Sequence, residues 1–178
     1  MNLYNIHADP ESLLYFEEAP EIVPNLFWDK YRNKPEELRK RERAIAVDTL
    51  HAYYYAAYVL KGAFPASEAA IVKTANHAYL YACYVLKGPF PKGEAAIAKD
   101  AYYAHRYAED VLNGPFPAGE EAISKNATYA FRYARDVLHG PFPAGEEAIS
   151  SDENYAHRYA QDVLKKDFYY NGKLIAKA

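Results

Sequence analysis

A period of 26 residues runs through most of this sequence. The glycine column of the repeat holds Gly62, Gly88, Gly114 and Gly140, and the phenylalanine column holds Phe64, Phe90, Phe116, Phe142 and Phe168. Periods of about 20–50 residues are typical of proteins built from stacked structural units. We therefore predict about five such units within residues 35–168 of the 178-residue chain.

Each unit is predicted to contain two helices. The longer helix follows a residue whose side chain can accept hydrogen bonds from the free amides of the first turn. That column holds Asp48, Thr74, Asp100, Asn126 and Asp152. In the third unit this helix covers residues 101–113 and ends at Gly114, for which we predict the left-handed conformation common at helix ends. A shorter helix over 94–99 precedes it, with Glu94 at the positive helix end.

The longer helix has an apolar side that covers about half of its circumference. In the third unit this side consists of Tyr103, Ala104, Tyr107, Ala108, Val111 and Leu112. A helix buried over that arc must contact more than one neighbour, as happens when helix pairs stack. The predicted fold class is therefore all-α, a short α-solenoid of about five 26-residue helix-pair repeats.

The two ends of the chain depart from the repeat, as the terminal units of solenoids commonly do. Residues 1–34 are predicted to form a divergent N-terminal capping segment, with a helix at 11–18. Residues 35–168 are predicted to form the helical-repeat solenoid. Residues 169–178 are predicted to be a polar C-terminal tail, because Asn171-Gly172 is a turn signal.

Composition excludes several classes of protein. The net charge of −3 and a pI near 6.1 exclude a strongly basic nucleic-acid binder and a strongly acidic DNA mimic. The single cysteine, Cys83, excludes an intrachain disulfide. The sequence has neither a secretory signal pattern nor an apolar run of the about 20 residues that a spanning helix needs. We expect a cytoplasmic protein.

No arrangement of residues typical of catalysis is present in the sequence. The repeat glycines occur singly, so they form no phosphate-binding loop. Two columns contain histidine pairs, His51 with His77 and His105 with His157, but no carboxylate or cysteine ligands accompany them. We therefore predict no metal, no cofactor and no enzymatic activity.

The side of the longer helix opposite its apolar stripe changes character along the chain. It is aromatic and apolar in units 1 and 2, and it carries arginines and carboxylates in units 3 to 5. Ion pairs four residues apart are predicted at Arg106–Asp110, Arg132–Asp136 and Arg158–Asp162. The candidate partner-binding residues are Tyr53, Tyr54, Tyr58, Tyr79, Leu80, Tyr84, Tyr102, Arg106, Arg132, Arg135 and Arg158.

The aromatic patch has two interpretations, because a contiguous apolar surface needs a cover or a partner. Residues 1–34 contain apolar side chains suited to cover it, among them Leu14, Phe16 and Trp28. Alternatively, part of the patch is an interaction surface, since tyrosine buries a large area at low entropic cost and keeps a polar tip.

The run YAxRYAxDVLxGPFPxGExAI resembles the 26-residue helical repeats of hypothetical proteins from tailed phages and some bacteria. The resemblance implies no catalytic residues. It implies a phage-encoded, non-enzymatic module that binds a host protein such as a defence factor. Inhibition of that host protein is a further implication. A nucleic-acid-engaging protein is the first alternative, with the four arginines on phosphates and exposed tyrosines stacked on bases.

A small-ligand or nucleotide sponge is the second alternative. Its groove would be lined by His51, Tyr53, His77, Tyr79 and His105. Self-association of two chains, through the tyrosine patch or the Lys166 end, is a further alternative.

Overall fold

A computed structural model describes Glu36 and residues 40–178 of the chain. The chain divides into two compact units, Met1–Arg41 and Glu42–Ala178. The predicted capping segment at 1–34 and its helix at 11–18 lie outside the described residues.

Residues 42–178 form an all-α helical repeat followed by one β-hairpin. The short helices are α1 (Glu42–Ile45), α3 (Glu68–Ile71), α5 (Pro91–Ile97), α7 (Glu120–Ser124) and α9 (Glu146–Ser150). The long helices begin as α2 (Thr49–Tyr54), α4 (Ala75–Leu80), α6 (Ala101–Tyr107), α8 (Ala127–Arg132) and α10 (Glu153–Arg158). A short helix and the long helix after it form one unit, which confirms the predicted fold class over five units.

Helical turns of other types flank the α-helices of the repeat. Single 3-10 turns precede three of the short helices, at Pro65–Ser67, Pro117–Gly119 and Pro143–Gly145. Every long helix continues without a break into a π-helical segment, and these segments are Tyr55–Leu60, Tyr81–Leu86, Ala108–Leu112, Tyr133–Leu138 and Tyr159–Leu164. Because all five long helices share the π-helical ending, it belongs to the architecture of the repeat and not to one special site.

The predicted N-caps of the long helices are confirmed. Asp48, Thr74, Asp100, Asn126 and Asp152 all have extended backbone conformations, and each side chain accepts a hydrogen bond from a backbone N–H two or three residues later. These bonds satisfy donors that have no partner within the helix. The start of each long helix is therefore fixed by local sequence.

The predicted left-handed glycine at the end of each long helix is wrong by one residue. The left-handed residues are Lys61, Lys87, Asn113, His139 and Lys165, with φ between 50° and 53°. In unit 2 the N–H groups of Lys87 and Gly88 both donate to the carbonyl of Ala82. The chain thus reverses at the residue before the glycine, because the wide π-helical turn closes there.

A column of buried tyrosines joins neighbouring units. Tyr55, Tyr81, Tyr107, Tyr133 and Tyr159 are fully buried, and each ring packs on the phenylalanine nine residues later with centroids 5.1–5.2 Å apart. From unit 2 onward, the tyrosine hydroxyl accepts the backbone N–H of the phenylalanine at the end of the preceding unit. Three of these hydroxyls, and that of Tyr55 in unit 1, also donate to a glutamate 13 residues earlier in the chain. The buried polar tips are therefore satisfied.

A second glycine column marks the closest packing in the repeat. A Cβ atom on Gly119 would lie 2.6 Å from Cδ1 of Phe116 and 2.7 Å from Cβ of Ala104. A Cβ atom on Gly145 or Gly93 would lie within 3.0 Å of the equivalent phenylalanine and alanine. A Cβ atom at these three glycines would require the neighbouring phenylalanine ring or alanine to move, whereas the equivalent position of unit 2 holds a buried serine, Ser67.

The predicted polar tail is instead a two-stranded antiparallel hairpin, β1 (Phe168–Tyr170) and β2 (Lys173–Ala176). Asn171 and Gly172 form its turn, both with positive φ, which suits a two-residue hairpin loop. Phe168 and Ala176 are buried, and the ring of Phe168 packs on Tyr159 with centroids 5.1 Å apart. The hairpin therefore closes the core of the last unit with the final phenylalanine of the repeat column.

Candidate interaction surface

The outer face is the side of the long helices opposite the core. We define it by four positions per unit: Tyr54, Ala57, Tyr58, Lys61; Leu80, Cys83, Tyr84, Lys87; Arg106, Glu109, Asp110, Asn113; Arg132, Arg135, Asp136, His139; Arg158, Gln161, Asp162, Lys165. None of these residues is fully buried, whereas alanines and tyrosines on the other side of the same helices are.

The aromatic half of the outer face lies in units 1 and 2. Tyr58 and Tyr84 expose 43% and 46% of their surface, and Tyr54 and Leu80 are half-buried beside them. The ring of Tyr54 stacks on that of Tyr58, with centroids 5.8 Å apart and an interplanar angle of 26°. Burial raises the phenol pKa of both residues, so both are neutral and can donate a hydrogen bond.

Tyr53 and Tyr79 do not belong to this face, although both were predicted as partner-binding residues. They expose only 8% and 5% of their surface and lie between successive long helices. Their rings approach His77 and Tyr103 of the following unit, with centroids 6.2 Å and 5.8 Å apart. Packing between units buries them, which removes both from the residues that a partner would contact.

These contacts belong to an aromatic ladder that was not predicted from the sequence. Each rung joins a residue of one long helix to the residue 24 positions later, in the pairs Tyr53–His77, Tyr79–Tyr103, His105–Tyr129 and Phe131–Tyr155. The signal was present as two aromatic columns offset by 24 residues. Tyr102 is half-buried beside this ladder, with its ring 4.9 Å from that of Tyr103 and 5.8 Å from that of Tyr129.

The first of the predicted ion pairs on the charged half is present. Arg106 Nε lies 2.9 Å from Asp110 Oδ2, and Arg106 Nη1 lies 3.7 Å from Glu109 Oε2. Asp110 also accepts a 2.5 Å hydrogen bond from the hydroxyl of Tyr79 in the preceding unit. Arg106 is therefore held within a network that links units 2 and 3.

The other two predicted pairs do not form. Asp136 accepts two hydrogen bonds, of 2.6 Å and 2.8 Å, from Arg135, which displaces Arg132 because a bidentate contact is the stronger one. Burial acts to raise the pKa of Asp136, but the bonds from Arg135 outweigh it and lower that pKa. The guanidinium of Arg158 lies over the ring of Phe131, 4.7 Å from its centroid, instead of pairing with Asp162.

Arg132 and Arg158 are the two arginines of this half that form no ion pair within the described residues. Both are exposed, and within residues 40–178 no carboxylate lies at salt-bridge distance from either. Of the four candidate arginines, Arg106 and Arg135 therefore form ion pairs, and Arg132 and Arg158 form none within residues 40–178.

His105 is a buried imidazole without a hydrogen-bond partner in the described part of the chain. It exposes 2% of its surface, both ring nitrogens are buried and unsatisfied, and Nδ1 lies 4.0 Å from Glu109 Oε2. Burial lowers the pKa of this imidazole to about 4. Burial, followed by the charge of Asp110, raises the pKa of the Glu109 carboxyl. His105 is therefore neutral at pH 7.

The predicted histidine- and tyrosine-lined groove is not open. Tyr53, His77, Tyr79 and His105 are buried in the packing between long helices. His51 is engaged at its N-cap, with Nδ1 2.8 Å from Asp48 Oδ1. These five residues therefore leave no space for a small ligand.

Three equivalent grooves run instead between successive short helices. Their volumes are about 440, 480 and 680 Å³. The first is lined by Val72, Lys73, Ala75, Lys92, Ala95, Ala96, Lys99 and Asp100. Alanine walls with lysine rims repeat at the 26-residue period, so these grooves follow from the stacking of units. The third groove is lined mostly by polar side chains, among them Asn126, Glu147 and Asp152.

Neither a metal site nor a membrane span emerges from residues 40–178. No three His, Cys, Asp or Glu side chains come together as metal ligands would in that part. Every helix described there is too short or too polar to cross a bilayer.

Comparison with known proteins gives no relative. No protein family, curated protein or solved structure matches the chain.

Proposed function

We propose that this chain is a non-enzymatic helical-repeat module that binds another protein through its outer face. The observation that carries the proposal is the exposure of Tyr58 and Tyr84, in adjacent units, around the half-buried Leu80. The fold does not need aromatic residues there. The same columns hold aspartate or arginine in units 3 to 5, where the same pair of helices forms.

Physical properties of the patch support this proposal. Stacking of Tyr54 on Tyr58 holds both rings before a partner arrives, which reduces the side-chain entropy lost on binding. Tyrosine is enriched at protein interfaces because it combines a large apolar ring with a hydrogen-bonding tip. The repeat supplies the rigid scaffold on which such residues act best.

The partner class follows from the resemblance to phage repeat proteins. A bacterial host protein in the cytoplasm, such as a defence factor, is the partner to test first. The step from repeat type to partner rests on analogy between proteins that share an architecture.

Affinity capture with a paired variant tests the proposal. Tagged wild-type protein should retain a discrete set of proteins from a bacterial lysate, and Tyr58→Ser/Tyr84→Ser should lose them. Tyr169→Ser is the matched control, because Tyr169 is 57% exposed but lies in the hairpin. Equal capture by wild type and the double variant would exclude the outer face as the binding surface.

Nucleic-acid engagement is the second candidate, favoured by the exposed arginines Arg132 and Arg158 on the same face as exposed tyrosines. Single-stranded nucleic acids bind to such combinations of cations and rings. Gel shifts with oligo(dT) at low salt test it, and binding should then fall steeply as salt rises. An unshifted oligonucleotide at low salt removes this candidate.

A further inference from the structure

The outer face carries positive charge on a negatively charged protein. Its twenty positions hold seven lysines and arginines but only four carboxylates, whereas the whole chain has a net charge of −3. The basic residues are Lys61, Lys87, Arg106, Arg132, Arg135, Arg158 and Lys165, and the acidic ones are Glu109, Asp110, Asp136 and Asp162. Such a local reversal of sign favours a partner of the opposite charge.

Among the four arginines of the face, two form no ion pair within residues 40–178. Arg106 is held by Asp110 and Glu109, and Arg135 by Asp136. Arg132 and Arg158 occupy the same column in adjacent units and are both exposed. A guanidinium offers a planar fork of donors that fits a carboxylate bidentately.

Two arginine side chains pack on the ring of Phe131. The ring is fully buried, and the guanidinium groups of Arg158 and Arg135 lie 4.7 Å and 5.0 Å from its centroid. Stacking on the ring face leaves the N–H edge of Arg158 available for a ligand. The position of Arg158 is thereby set by the core and not by a neighbouring acid.

Resting on the function proposed above, we propose that the outer face binds an extended, acidic and aromatic segment of the partner protein. Carboxylates of that segment pair with Arg132 and Arg158, and its apolar side chains cover Tyr58, Leu80 and Tyr84. The aspartates that remain on the face favour a peptide over a nucleic acid. Asp136 and Asp162 alternate with the arginines. A nucleic acid, with a phosphate on every nucleotide, would place charge beside these aspartates, whereas a peptide can carry its carboxylates only where it meets the arginines.

The spacing of the units sets the spacing within the segment. Packed helices lie about 8–10 Å apart, and an extended chain advances about 3.3 Å per residue. Acidic residues about three positions apart would therefore reach Arg132 and Arg158. The residue that pairs with Arg132 lies between the one that pairs with Arg158 and the apolar part of the segment. Apolar residues about six and about nine positions beyond it would meet Tyr84 and Tyr58.

A charge-matched titration tests this inference. The probe is a fluorescein-labelled copolymer of glutamate and tyrosine, with a lysine–tyrosine copolymer and oligo(dT) as comparisons. The glutamate copolymer should bind wild-type protein, and Arg132→Gln/Arg158→Gln should weaken binding by about tenfold or more. Arg132→Lys/Arg158→Lys should give an intermediate loss, because lysine lacks the bidentate fork. Tyr58→Ser/Tyr84→Ser should also weaken binding.

Lys99→Gln/Lys173→Gln is the control, since it removes the same charge from two exposed residues outside the outer face. It should change the affinity by less than about twofold. An equal loss in both double variants would overturn the inference, since binding would then follow net charge alone. Arginine-dependent binding of oligo(dT) that exceeds that of the copolymer would overturn it in favour of nucleic acid.

Failure of this inference is distinguishable from failure of the proposed function. If the copolymer does not bind while capture from lysate still depends on Tyr58 and Tyr84, the acidic segment is wrong and the protein-binding function stands. If capture does not depend on these tyrosines and the copolymer does not bind, both fail.

Discussion

The hydroxyl of Tyr107 accepts a hydrogen bond from the backbone N–H of Phe90, with 2.8 Å between the oxygen and the nitrogen. The same hydroxyl donates to Glu94 Oε1 at 3.0 Å. Burial, aided by the carboxylate of Glu94, raises the pKa of Tyr107 to about 12. One phenol therefore joins the long helix of unit 3 to the end of unit 2, and three other units repeat the link to the preceding phenylalanine.

Removal of this hydroxyl should destabilise the repeat. Tyr107→Phe leaves the buried N–H of Phe90 without a partner, which costs about 1–3 kcal/mol of unfolding free energy. Urea denaturation of the variant and wild type measures the difference. Tyr169→Phe, at an exposed tyrosine, should change the free energy by less than about 0.5 kcal/mol. Equal stability of Tyr107→Phe and wild type would show that the link contributes nothing.

The two glycine columns should respond in opposite ways to alanine. Gly119→Ala places Cβ within 2.7 Å of two neighbouring side chains, so it should cost about 1–3 kcal/mol. At Gly140 the nearest atom would lie 3.8 Å away and φ is not positive. Gly140→Ala should therefore be neutral or stabilise by about 0.4–1 kcal/mol. Thermal melts of the two variants give the comparison, and a stable Gly119→Ala would refute the packing argument.

Glycine at the left-handed position should stabilise a long helix. Lys87 has φ 53°, which costs an ordinary residue about 1–2 kcal/mol. Lys87→Gly should therefore raise the melting temperature, and Asn113→Gly should raise it less, because asparagine tolerates this conformation. A lower melting temperature for Lys87→Gly would mean that the lysine side chain contributes more than the strain removes.

Burial of His105 should make the repeat less stable in acid. Its pKa is about 4 in the folded state against about 6.5 in an unfolded chain, so the unfolded state binds more protons between these values. Stability from this group is present above pH 6.5 and is lost as the pH falls toward 4, by at most about 3 kcal/mol. The raised pKa of Glu109 offsets part of this loss, because it favours protonation in the folded state.

The variant His105→Phe isolates the effect of the imidazole, since Phe131 occupies the equivalent buried position one unit later. The variant should lose less stability than wild type between pH 6.5 and 4, as measured by urea denaturation at several pH values. Parallel stability curves for the two proteins would contradict a buried neutral histidine.

Sequence predicts the parts of this fold that depend on residue type alone. The N-cap column was recognisable because only side chains such as those of Asp48 and Thr74 satisfy a helix start. The left-handed residue could not be recognised from the sequence, since lysine and histidine, as at Lys87 and His139, have no preference for that conformation. The π-helical turn imposes it. Replacement of the predicted Arg132–Asp136 pair by Arg135–Asp136 depends on competition between neighbours. Tyrosine suits both core and surface, so the burial of Tyr53 required the packed structure.

Site-specific photo-crosslinking tests the central claim, binding of a protein by the outer face, most directly. A photoreactive phenylalanine would replace Tyr84, and in a second variant Glu147, which is exposed on a short helix away from this face. Irradiation in bacterial lysate should give a discrete protein adduct from position 84 and none from position 147. No adduct from position 84, or the same adduct from both positions, would contradict the account.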